Sequence, residues 1–90
     1  MPYIKPNDRE CFDPHIGQLI RSLTYNRQWT AGELNYIISS IVWDLFKDKQ
    51  KYQTANDIVG ALTNVQLEFY RRMVAPYEDE KISENGDIIP

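Results

Sequence analysis

Two adjacent arginines in the C-terminal third of the chain form its most distinctive chemical grouping. Arg71 and Arg72 follow Tyr70 directly, and Tyr77 comes shortly after them. Guanidinium groups donate paired hydrogen bonds to carboxylates and phosphates, while aromatic rings stack on cations and bases. This grouping predicts a site for an anionic small molecule. The predicted ligand-binding residues are Asn64, Glu68, Tyr70, Arg71, Arg72 and Tyr77.

The same spacing also fits a helix face that binds nothing. Glu68 precedes Arg71 and Arg72 by three and four residues, which is the favourable arrangement for ion pairs within one helix. Arginines held by the acidic residues near the C-terminus would produce the same pattern without a ligand. Both interpretations remain open at the level of sequence.

A second grouping, Cys11 with Asp13 and His15, is the only one with catalytic character. A thiolate becomes a good nucleophile beside a base, but the Asp13-Pro14 step predicts a helix boundary between the two side chains. One cysteine and one histidine cannot form a standard four-ligand zinc site or an intramolecular disulfide. We therefore expect no enzyme, no metal and no cofactor, with a small thiol-dependent enzyme as the third choice of function.

The charge distribution disfavours nucleic acid as a partner. The net charge of the ninety residues is −3. Residues 76–90 carry a charge of −4, because they contain five acidic side chains and one lysine. The preceding residues, with nine basic and eight acidic side chains, carry +1. A basic surface for a phosphate backbone is absent from this balance. Without a long apolar run or a signal sequence, the chain is expected to bind no membrane and to be cytoplasmic.

Apolar spacing and start signals predict an all-α domain over residues 1–90. Thr30 and Glu33 have the spacing of a capping box, and Asp13-Pro14 and Thr54 to Asp57 are further helix starts. Pro76 is expected to end the last helix, and Asn85-Gly86 predicts a turn. Asn7 is expected to cap a short N-terminal turn. The predicted order is an extended arm and short turn over 1–13, helices at about 14–26, 31–47 and 54–75, and an acidic segment over 76–90.

The helix predicted over 31–47 is apolar on two faces. Tyr36 and Trp43 lie almost opposite its main apolar stripe, with Ser40 beside them. A domain of ninety residues buries a small core, so a second subunit is a plain source of additional burial. We therefore predict a homo-oligomer with Tyr36, Ser40 and Trp43 at its interface. The alternatives are that this helix is sandwiched within the fold, or that these rings pack under the loop at Arg27 to Thr30 and the N-terminal arm.

The C-terminal half carries a resemblance to a known family. Leu67-Glu68-Phe69-Tyr70-Arg71-Arg72, Ala75-Pro76-Tyr77-Glu78-Asp79-Glu80-Lys81-Ile82 and Glu84-Asn85-Gly86-Asp87 resemble a family of small uncharacterised proteins of bacteria and their phages, a domain of unknown function. The resemblance covers nearly the whole chain. It implies a helical fold and a bacterial or phage source, and it assigns no activity, so no role is given to Cys11.

Two functions from different classes follow. The first is a non-enzymatic binding protein of phage type that sequesters an anionic, nucleotide-derived small molecule in the bacterial host cytoplasm, acting against host defence. This function rests on analogy with other small acidic phage proteins. The alternative is an interaction module that binds or inhibits a host protein through the Tyr36 and Trp43 face or the acidic segment.

Overall fold

The computed structural model describes residues 3–89, and every regular element in this part of the chain is a helix, without strands. The prediction of an all-α fold is confirmed. The arm's predicted beginning at Met1 and Pro2 lies outside the described residues. The helices are α1 (Pro6–Arg9), α2 (Asp13–Thr24), α3 (Ala31–Asp48), α4 (Tyr52–Phe69) and α5 (Ala75–Asn85), with a π-helical turn over Tyr70–Val74 between the last two.

The chain divides into two units, Met1–Asp48 and Lys49–Pro90. The first unit contains α1, α2 and α3, and the second contains α4, the π-helical turn and α5. Three long helical segments therefore occur, as predicted, but the third is longer than expected because it continues from Tyr52 to Asn85.

The capping box predicted at the start of α3 is present. The Thr30 hydroxyl accepts a hydrogen bond from the Glu33 amide at 3.2 Å, and the Glu33 carboxylate accepts one from the Thr30 amide at 2.8 Å. These two bonds satisfy amides that a helix start leaves without a partner. The sequence therefore located this boundary correctly, at Ala31.

The other predicted caps are wrong in detail. Asn7 lies inside α1, whose N-cap is Lys5, and Asp13 lies inside α2, whose N-cap is Phe12. Neither helix has a hydrogen bond from its N-cap side chain. In both helices a proline occupies the first turn, where its missing N–H removes no intrahelical bond and its fixed φ suits the helix. Proline therefore marks these helix starts without a capping side chain.

The link between α2 and α3 contains a residue in the left-handed region. Asn26 has a φ of 54° and lies two residues after the last residue of α2. Asparagine tolerates this conformation better than most residues because its short side chain can bond locally. This position ends α2 at Thr24, two residues before the predicted boundary at 26.

The third helical segment departs most from the prediction. It begins at Tyr52 with Lys51 as N-cap, so Thr54 and Asp57 lie inside its first turns. Pro76 does not end it: the Ala75 amide donates to the Tyr70 carbonyl five residues earlier, and α5 follows directly. Because α5 begins at Ala75, directly after the π-helical turn, Pro76 lies in the first turn of α5. The missing N–H of a proline is tolerated at that position. The end comes instead at Gly86, with a φ of 89° and its amide bonded to the Ile82 carbonyl at 2.8 Å.

None of the described residues is buried. In α3, Ile37 and Val42 are half-buried, whereas Ile41 and Leu45 on the same stripe are exposed. The helices therefore have the apolar faces that the sequence predicts, and the side chains on these faces are exposed or half-buried.

Candidate functional site

The two arginines predicted to bind a ligand are both paired with one carboxylate. Arg71 Nη2 lies 3.1 Å from Glu68 Oε2, and Arg72 Nε lies 2.9 Å from the same oxygen. Arg71 and Arg72 remain 65% and 64% exposed, and Glu68 is half-buried. The structure thus brings together Glu68, Arg71 and Arg72, three of the six predicted ligand residues. The same contacts are expected if this helix face is stabilised by ion pairs and binds no ligand.

The remaining charge at this cluster is positive. Two guanidinium groups share a single carboxylate, so the three side chains together carry one positive charge near neutral pH. A ligand anion would have to compete with Glu68 for the same hydrogen-bond donors. Asn64 lies one turn before Glu68 on α4 and is half-buried.

Tyr70 is bound within the same helical segment. Its hydroxyl donates a 2.8 Å hydrogen bond to Glu78. In a regular α-helix two residues eight positions apart are offset by about 80° around the axis. The π-helical turn reduces this offset, so both side chains lie on one side. The hydrogen bond to Glu78 and its negative charge raise the pKa of Tyr70.

Tyr77 faces a cation already present in the chain. The Lys81 ammonium lies 5.5 Å from the centre of the Tyr77 ring, within the range of a cation–π contact. Lys81 also pairs with Glu84 at 3.2 Å. The phenol rings proposed for stacking on a ligand thus have intramolecular partners in this structure.

A different site forms on α3. Tyr36, Ser40 and Trp43 line a surface depression together with Ser39 and Asp44. Tyr36 is 74% exposed and Trp43 is 67% exposed, so both rings present most of their area to solvent. We name this set of five residues the aromatic face. It combines large apolar rings with two hydroxyls and one carboxylate.

Sequence reasoning missed Asp44 as part of this face. Asp44 follows Ser40 by four residues, so the helical period alone could have found it. A neighbouring groove shares Tyr36 and continues toward the end of α2, where it is lined by Leu19, Leu23, Arg27, Glu33 and Ile37.

Sequence reasoning also missed the contacts that Arg27 makes across the loop between α2 and α3. Its guanidinium forms a close ion pair with Glu33 and donates to the Ser22 carbonyl at 3.3 Å. This pair, together with the Thr30 amide, lowers the pKa of Glu33. Arg27 lies six residues before Glu33, across a loop, so no helical spacing indicates the contact.

The predicted thiol grouping lies around the start of α2. Cys11 is exposed, and its thiol contacts the Asp8 carbonyl at 3.9 Å. His15 lies within α2, beyond the Asp13-Pro14 helix start. Residues 3–89 contain no group of three or more His, Cys, Asp or Glu side chains that could hold a metal ion. Nor do they contain a helix long and apolar enough to cross a membrane.

Comparison with known proteins identifies a family. A family model described as a domain of unknown function (DUF6899) covers residues 1–88. No curated protein and no solved structure matches the sequence.

Proposed function

The chain belongs to the DUF6899 family, and from this premise we propose that it is a non-enzymatic binding protein whose aromatic face binds another protein. The observation that carries the proposal is the exposure of Tyr36 and Trp43 on one face of α3, where both line the same depression. Tyrosine and tryptophan dominate the binding energy of many protein interfaces because they bury a large area at small entropic cost.

The chemistry of the aromatic face specifies the kind of partner. The two rings need an apolar side chain to cover them, since interface centres are the most apolar part of a contact. Ser39 and Ser40 offer hydroxyls, and Asp44 offers a carboxylate at the rim. A protein surface with an apolar side chain flanked by a lysine or arginine satisfies all of these groups.

Affinity purification with matched variants tests this proposal. We expect one protein to copurify in near-stoichiometric amounts from bacterial cells expressing the tagged chain. That protein should be lost with Tyr36→Ser and with Trp43→Ser. The control is Tyr52→Ser, which removes an aromatic ring that is 90% exposed but lies outside the aromatic face.

Two results of this purification are decisive. An identical set of proteins with all variants contradicts the proposal. If the lost protein is another copy of the chain, the aromatic face is the subunit interface that the sequence predicted.

Anion binding at Arg71 and Arg72 is the second candidate. It is favoured by the exposure of both guanidiniums and by the excess of positive charge over Glu68. In this role the chain would sequester a phosphate-bearing, nucleotide-derived molecule in the cytoplasm of a bacterial host, and Tyr70, Tyr77 and Asn64 would line the site.

Thermal melting with a panel of nucleotides and cyclic nucleotides tests the second candidate. A ligand that binds only the folded state raises the melting midpoint in proportion to RT ln(1 + [L]/Kd). We expect Arg71→Ala and Arg72→Ala to remove that rise, while Arg21→Ala on α2 leaves it unchanged. A midpoint that no member of the panel shifts contradicts the candidate.

A further inference from the structure

A second surface, on α4, is apolar and exposed within its own unit. Val59, Val65, Phe69 and Met73 are 59–63% exposed, and Leu62 is 39% exposed. Ile58 is half-buried on the same stripe. This stripe lies in the unit Lys49–Pro90, whereas the aromatic face lies in the other unit. An inference about what binds the stripe is therefore independent of the function proposed for the aromatic face.

The spacing along this stripe is that of a helix that pairs with another helix. Ile58, Leu62, Val65 and Phe69 are separated by four, three and four residues, which is the alternation of a coiled-coil seam. Val59 and Met73 flank the seam. Leu67, which is equally exposed, lies on the opposite side of the helix and takes no part in it.

The two ends of this helical segment carry opposite charge. Lys49 and Lys51 lie just before Tyr52, whereas Glu78, Asp79 and Glu80 lie in α5. Lys51 and Glu80 are both exposed, and neither takes part in an ion pair within residues 3–89. A helix with a basic start and an acidic end is complementary to itself when a second copy lies antiparallel.

We propose that a second copy of this chain covers the α4 stripe in antiparallel orientation. Antiparallel seams place Ile58 of one protomer opposite Phe69 of its partner, and Leu62 opposite Val65. The same register brings the Lys49 and Lys51 end of each protomer beside the acidic start of the other protomer's α5. This arrangement has two-fold symmetry, so every contact occurs twice.

Sedimentation of the full chain at micromolar concentration tests the pairing. We expect a particle of twice the 10.6 kDa chain mass. Val65→Glu should shift the particle to the monomer mass, because a carboxylate in the seam would be buried without a partner. Leu67→Glu adds the same charge to a residue of equal exposure outside the seam and should leave the dimer intact. A wild-type monomer, or equal effects of the two variants, would overturn the proposal.

Cysteine cross-linking tests the orientation. In a Cys11→Ser background, Ile58→Cys alone and Phe69→Cys alone should not form disulfide-linked dimers, because equivalent residues lie about 16 Å apart along the antiparallel pair. An equimolar mixture of the two variants should form the linked heterodimer. Linked dimers from either variant alone, or none from the mixture, would overturn the antiparallel arrangement.

Charge reversal tests the complementarity of the ends. Both Lys49→Glu with Lys51→Glu and Asp79→Lys with Glu80→Lys should weaken self-association about tenfold. Combining all four substitutions should restore it, because the attraction is recreated with opposite signs.

All six positions changed in these sedimentation and charge-reversal experiments are exposed, and circular dichroism verifies that each variant stays helical. Failure of the four-fold variant to recover association would contradict the charge argument. None of these outcomes depends on a partner at the aromatic face.

Discussion

At the scale of single residues, the best-defined contacts are those around Glu33. The carboxylate accepts hydrogen bonds from the Thr30 amide and from Arg27, and both lower its pKa. The sequence identified Thr30 and Glu33 from their spacing. Arg27 required the fold, because a loop brings it to the carboxylate.

Thr30→Ala should destabilise the start of α3. The substitution removes the acceptor for the Glu33 amide, and loss of such a cap costs about 0.5–2 kcal/mol. Urea unfolding followed by circular dichroism measures this change. The control is Thr63→Ala, whose hydroxyl bonds the Val59 carbonyl inside α4 and caps no helix end. Equal losses in both variants would contradict the role of the cap.

Acid should weaken the same contact. The pKa of Glu33 is lower in the folded chain than its ordinary value, so its contribution to stability is present above the ordinary pKa of a glutamate. That contribution declines as the pH falls through the lower folded pKa. Unfolding measured across the acid range should show a smaller loss for Glu33→Gln than for the wild type. Parallel curves would contradict this assignment.

Alkali should weaken the Tyr70 contact. Hydrogen bonding to Glu78 raises the pKa of Tyr70, so the stabilisation is complete below the ordinary pKa of tyrosine and is lost as the pH rises through the higher folded value. Ultraviolet titration of the tyrosines should lose its highest-pH component in Tyr70→Phe. Glu78→Gln should move that component to lower pH, and Tyr52→Phe should leave it in place.

At the scale of elements, the π-helical turn decides the shape of the second unit. Proline at 76 predicts a helix end, because its ring and missing N–H disrupt a regular α-helix. Here the turn over Tyr70–Val74 places that proline in the first turn of α5, and the helix continues to Asn85. The acidic segment is therefore helical over most of its length.

Pro76→Ala should convert this turn to a regular α-helix. The new amide can bond the Arg72 carbonyl, and the free energy of unfolding should rise by less than about 3 kcal/mol. The loss of the widened turn should also separate Tyr70 from Glu78 and return the Tyr70 pKa toward its ordinary value. Ultraviolet titration measures that change, and an unaltered Tyr70 component would contradict the role of the turn.

At the scale of the whole molecule, the main feature is that the large apolar side chains of the described residues are exposed. None of the described residues is buried, although their spacing predicts amphipathic helices. Folded chains rarely leave such faces uncovered, since each large apolar side chain contributes about 1.5–3 kcal/mol on full burial. The pairing proposed for the α4 stripe would recover part of this free energy.

Stability should consequently depend on protein concentration. If the folded state is completed by a second copy, mass action raises the thermal midpoint as the concentration increases. We expect a clear rise between low and high micromolar chain for the wild type and for Leu67→Glu, and none for Val65→Glu. A wild-type midpoint that is independent of concentration would show that the folded chain is stable alone.

The sequence by itself determined the helical class, the capping box at Thr30 and Glu33, and the three long helical segments. These features depend on local spacing and on backbone chemistry within a few residues. It also identified Arg71, Arg72 and Glu68 as one group, because three- and four-residue spacing places them on one face.

Only the tertiary structure decided what lies beyond that range. The continuation of the helix through Pro76 and the Tyr70–Glu78 bond depend on a widened turn, whereas a proline in the sequence predicts only a helix end. The Arg27–Glu33 pair depends on the course of a loop. Periodicity shows which side of a helix is apolar, and the structure adds that the aromatic face and the α4 stripe are each exposed within their own unit.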